Sequence, residues 1–140
     1  MADEAVIIDL LGNQGDPVEY TVLATTAIPK GTLMQLSSTP QTATIAGAGT
    51  LFCGIAANEK SATDGVTKMT CITHCVAELT CGAAESMVLG VPVKVGAVAN
   101  EVTVATTSTV EGTVEVVGIA LETVAGNGTG AVLVNAMKRR

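Results

Sequence analysis

The densest group of reactive side chains is Cys71-Ile72-Thr73-His74-Cys75, followed by Cys81 and preceded by Cys53. Structural zinc takes four Cys or His ligands in a tetrahedron, so the donor types are present. Their spacing argues the other way. In a strand, side chains alternate, which puts Cys71, Cys75 and Cys81 on one face and His74 on the other. At a rise of about 3.3 Å per residue, Cys71 and Cys75 stand about 13 Å apart, too far for one ion and beyond the ~7 Å between Cα atoms that a disulfide tolerates. The cysteines read as small buried hydrophobes, and no metal or other cofactor is expected.

His74 is the only histidine, so any nucleophile and base pair must use it. No Gly-x-Ser-x-Gly elbow presents a serine to it. Glu111 with Glu115, and Glu78 with Glu85, pair carboxylates by type alone, among Thr and Ala that suit a solvated sheet face. Gly47-Ala48-Gly49 and Gly126-Asn127-Gly128-Thr129-Gly130 lack the Lys and Ser/Thr that complete a phosphate loop, and they read as turns. No catalytic residue is assigned, and the chain reads as a non-enzyme.

The elements holding these residues follow from composition. The chain has 140 residues, 48% hydrophobic but only 1% aromatic, so one modest domain with a core of Val, Ile, Leu, Ala and Met is expected. With thirteen acidic and seven basic residues the net charge is −6. Phosphate backbones need Lys and Arg, and single strands need aromatic platforms, so nucleic acid is excluded as a partner. The charged fraction is 14%, against about 25% in ordinary domains. Such a chain leaves apolar surface outside, which marks an interface, and self-association is expected. No run approaches the ~18 apolar residues of a membrane helix. The start, Met1-Ala2-Asp3-Glu4, is acidic where a signal peptide is basic. The expectation is a protein made in the cytoplasm, not exported and not in a membrane.

Val and Thr, stiff at χ1, favour strands. Val91-Pro92-Val93-Lys94-Val95, Val102-Thr103-Val104 and Val114-Glu115-Val116-Val117 alternate as half-buried strands do. Gly12-Asn13, Asp64-Gly65, Ala99-Asn100 and Gly126-Asn127-Gly128 supply turns. The fold class is all-β, a small barrel or sandwich. Its halves repeat. Ile28–Leu36, Thr42–Ala46, Cys53–Ala57 and Asp64–Ile72 are matched in order by Gly90–Val95, Glu101–Ala105, Val117–Leu121 and Gly126–Val134. Gly54 and Gly118 hold equivalent places, where a missing side chain permits a bulge or a close backbone approach. Residues 1–23 form an N-terminal arm or first strand, and 24–137 a β domain with repeat halves about 28–72 and 90–134. Residues 138–140 form a basic tail. Thr73 to Met87 links the copies, with a short helix expected over Ala83-Ala84-Glu85-Ser86-Met87.

Gly54-Ile55-Ala56-Ala57, Lys60-Ser61-Ala62-Thr63-Asp64-Gly65, Pro92-Val93-Lys94-Val95, Val102-Thr103-Val104 and Gly118-Ile119-Ala120-Leu121-Glu122, closed by Val132-Leu133-Val134, together resemble the small capsid decoration, or cement, proteins of tailed bacteriophages and related viruses. The resemblance runs from about Ala24 to Asn135. It implies a β-rich virion protein on the outer capsid surface, often a homotrimer, that bridges major capsid proteins against internal pressure and has no catalytic residues. The first two dozen residues and the Cys-rich centre depart from the family pattern. Candidate contacts are therefore read from this chain alone: Val6, Ile7, Ile8, Leu10 and Leu11 in the arm, and Lys138, Arg139 and Arg140 in the tail. The alternative is a small β-barrel module binding a ligand or glycan at a virion surface, weakened by the near absence of aromatic platforms.

Overall fold

The computed structural model describes residues 4–9, 17–47, 51–105 and 116–136. Among these residues eleven strands run in the order β1 (Val6–Asp9), β2 (Val18–Thr21), β3 (Leu33–Leu36), β4 (Ala43–Ile45), β5 (Phe52–Ala56), β6 (Lys68–Ile72), β7 (His74–Cys81), β8 (Pro92–Val95), β9 (Glu101–Val104), β10 (Val116–Ala120) and β11 (Thr129–Asn135). No helix occurs among the described residues.

Two sheets share one topology. In the second half the order is β7-β11-β10-β8-β9, and parallel pairing of Thr80 and Cys81 with Glu101 and Val102 closes it into a five-stranded barrel. In the first half the order is β2-β6-β5-β3-β4, with a parallel bridge between Thr21 and Thr42 at the corresponding point. The two pseudo-repeated halves are therefore two barrel-like units, and β2 and β7 are the first strand of each. β1 is the arm: it adds to β7 through Val6↔Glu78 and Ile7↔Ala77, a six-stranded sheet in all.

Local chemistry repeats with the topology. Gly31 and Gly90 both have positive φ, 90° and 82°, and both N–H groups donate across to β5 or β10, at Ala56 and Ala120. Gln41 and Asn100 occupy the same left-handed turn position, φ 54° and 67°. Both β3–β5 and β8–β10 change register, leaving Cys53 and Val117 as the extra residues beside Gly54 and Gly118. A Cβ at Gly118 would run into the Leu133 carbonyl oxygen, and one at Gly54 would lie 2.9 Å from that of Ile72. The bulge and close approach read from these glycines are present in both copies.

A five-stranded barrel is narrower than the eight-stranded kind, whose interior side chains just fill. The interior of the first unit is Val22, Ile28, Met34, Ala43, Cys53, Ala56, Met69 and Cys71. The second is lined by Cys75, Ala77, Leu79, Cys81, Val93, Val95, Val102, Val117, Ala120, Val132 and Val134, and its cluster continues into Leu33, Phe52 and Ile55 of the first half. Small and β-branched side chains fit such a bore, which accounts for the scarcity of aromatics. All five residues of β5 are buried because the strand faces both cores.

Two expectations are corrected. The segment Thr73–Met87 is not a linker with a helix: His74–Cys81 is the longest strand among the described residues, and Ala83–Met87 is turn and bridge. Cys71, Cys75 and Cys81 do not share a face of one strand. The chain crosses between sheets at Thr73, so Cys71 faces the first core and Cys75 and Cys81 the second.

Candidate interface

The outer face of the second barrel carries an apolar row. Register places Val76 beside Leu133, Leu133 beside Ile119, and Ile119 beside Pro92, one residue from each of four adjacent strands. Inward positions of these strands are wholly buried, and alternation turns the row outward. Ile119 is 43% exposed, Val76, Leu133 and Pro92 are half-buried, and Leu121 and Leu89 beside the row are 43% and 63% exposed. Exposed apolar residues gathered on one face mark a contact surface, whereas scattered ones do not.

The arm adjoins this face. Ala5 is buried, its N–H donating to the Gly31 carbonyl at 2.8 Å, and Ile7 packs on the main core. Val6 and Ile8 are exposed, Ile8 at the register shift in the β1–β7 pairing. Of the arm residues expected to make contacts, Val6 and Ile8 are thus available and Ile7 is committed inward. Leu10 and Leu11, and Lys138, Arg139 and Arg140, lie outside the described residues. Between the arm and the first unit runs an open groove of about 450 Å³ lined by Ala5, Val6, Ile7, Lys30, Gly31, Ala57 and Ile72.

The reactive residues are distributed otherwise. All four cysteines are buried and free of disulfides. The neighbouring Cys71 thiol and burial push Cys53 far above an ordinary thiol, and burial raises Cys75 to about 11. Burial also raises Cys81, with Glu85 and Glu101 adding to it. Cys53, Cys75 and Cys81 are poor nucleophiles for that reason. His74 sits half-buried at the start of β7, opposite Asn135. Among the described residues no three His, Cys, Asp or Glu side chains converge to hold a metal ion. Among the described residues Lys60 is the most deeply buried charge, its Nζ donating to the Ala24 and Ser61 carbonyls at 2.7 and 3.1 Å and 3.6 Å from Asp64. The sequence gives no sign of this role, because the equivalent residue in the second barrel is Val124, bridged to Met87 as Lys60 is to Ile28.

No helix among the described residues is long and apolar enough to cross a membrane. Compared with known proteins, the chain matches no family model and no curated protein.

Proposed function

We propose that this chain is a structural virion protein that binds the outer surface of an assembled capsid and bridges major capsid proteins, acting as a homotrimer. The observation that carries the reading is a pair of adjoining uncovered apolar surfaces, the row Val76–Leu133–Ile119–Pro92 for self-association and the exposed Val6 and Ile8 of the arm for the capsid. The resemblance of both repeat halves to capsid decoration proteins supports it. So does the doubled architecture, because a rigid body with two similar units presents several contact faces at once. A clamp that engages several sites gains avidity when its geometry spans them.

The test is addition of the purified protein to capsids that lack it, followed by sedimentation and heating of the particles. Saturable binding and a higher disruption temperature are expected. Val6→Asp and Ile8→Asp should each weaken attachment about tenfold or more, with the far-ultraviolet spectrum and melting of the free protein unchanged. Indifference of the wild-type protein to capsids overturns the proposal. A second reading, a ligand- or glycan-binding module, rests on the groove beside the arm, whose volume of about 450 Å³ is of small-ligand size.

A further inference from the structure

The two units treat equivalent residues unequally. Ile55 pairs with Leu33 and Ile72, as Ile119 pairs with Pro92 and Leu133, so the outer row of the first unit corresponds to that of the second. In the first unit the row is covered. Leu33 and Ile55 are 0% exposed and Ile72 packs on the core they share with Ala5, Ile7 and the second barrel. In the second unit Ile119 is 43% exposed and its neighbours are half-buried. The flanks deepen the contrast. Exposed Lys30 and half-buried Ala57 correspond to Leu89 and Leu121, 63% and 43% exposed. The uncovered row is thus flanked by more apolar residues than the covered one.

The contact that covers the first row runs one way. Leu33 meets the turn of the second barrel at Asn100, whose side-chain oxygen accepts its N–H at 3.0 Å. A two-fold relation between the units would set Gln41, the equivalent of Asn100, against Pro92. Instead Gln41 is exposed. A one-way contact between similar units leaves one surface of each kind open, and repeating it between molecules builds a ring or a filament.

We propose that the outer row of the second barrel, Pro92, Ile119 and Leu133 with Leu89 and Leu121, receives the first unit of a second copy of this chain, head to tail. Gln41 of that copy lies against Pro92 as Asn100 lies against Leu33. The inference deepens the self-association in the proposed function and rests on that part of it. Proline suits the position: it has no N–H, so covering Pro92 strands no donor. Leu33 has one, and it needs the Asn100 oxygen.

The test uses the full chain without capsids, at tens of micromolar, by light scattering and sedimentation. An oligomer is expected. Ile119→Asp and Leu89→Asp should each raise its dissociation constant at least tenfold while melting of the subunit stays unchanged. Oxidation of a mixture of Gln41→Cys and Pro92→Cys proteins should link copies in pairs, and neither variant alone should do so. A monomeric wild type, unchanged oligomers in both charge variants, or linkage of Pro92→Cys to itself overturns the inference. Capsid binding by a monomeric wild type would overturn it while leaving the virion reading standing, so the two failures are distinguishable.

Discussion

The side-chain oxygen of Asn100, on the second barrel, accepts the backbone N–H of Leu33, on the first, at 3.0 Å. Both residues are 0% exposed, so the bond satisfies a donor that water does not reach. The Asn100 amide also donates toward Glu4 Oε2 at 3.4 Å, tying the start of the arm to the same point.

Asn100 has φ 67°, a left-handed conformation that Asn tolerates and Ala does not. Asn100→Ala should therefore cost about 2–4 kcal/mol, the sum of an unpaired buried N–H and backbone strain. Asn100→Gly keeps the backbone free and should cost only about 1–3 kcal/mol. Urea unfolding of both variants checks this, and equal losses would show that strain contributes nothing.

Gly118 and Gly65 separate crowding from backbone strain. A Cβ at Gly118 meets the Leu133 carbonyl, which is fixed in the β10–β11 ladder, so Gly118→Ala should cost about 3 kcal/mol or more. Gly65 has φ 74° but open space around it, and Gly65→Ala should cost only about 1–2 kcal/mol. Thermal unfolding of the pair gives the order.

Lys60 and Asp64 contribute to the acid limb of stability. The N–H groups of Val66 and Ser61 and the Lys60 ammonium hold Asp64 below the ordinary 3.8. A carboxyl with a depressed folded value contributes fully above its unfolded value and loses that contribution as pH falls through the folded one. Stability should therefore fall on acidification below about pH 4, and less steeply in Asp64→Asn. Lys60→Ala removes the donor from two carbonyls and leaves a cavity, at a cost of about 2–4 kcal/mol at neutral pH. Urea midpoints between pH 2.5 and 7 test both variants, and identical acid limbs for wild type and Asp64→Asn would refute the assignment.

The native thiols should be silent. With Cys75 at about 11, only about one molecule in a thousand carries that thiolate at pH 8. A chromogenic disulfide reagent should label less than one equivalent in minutes on the folded protein and four in denaturant. Rapid labelling of the folded chain would contradict the burial of all four.

Much of this architecture is legible in the sequence. Gly54 and Gly118 marked the repeat because a bulge leaves a glycine in sequence, and alternating Val marked β8 and β9. The strand His74–Cys81 is harder to read, although Cys75, Ala77, Leu79 and Cys81 alternate with His74, Val76, Glu78 and Thr80, because it lies between the two repeat copies, where the sequence suggests a link. Cysteine and alanine plug a narrow bore, and their chemistry is beside the point there. Of the candidate contacts, exposed Val6 and Ile8 could be named from apolar character alone. Ile119 and Leu89 could not, because their meaning lies in a comparison with Ile55 and Lys30 that needs the paired registers of both units.

Thr73, 1% exposed, is the only residue between β6 of one sheet and β7 of the other, and its carbonyl accepts the Ala136 N–H at 2.8 Å. A single sequestered residue leaves no slack for a swivel. Tension applied to one unit therefore passes into the other through a single-residue joint, with no loop between them to take it up.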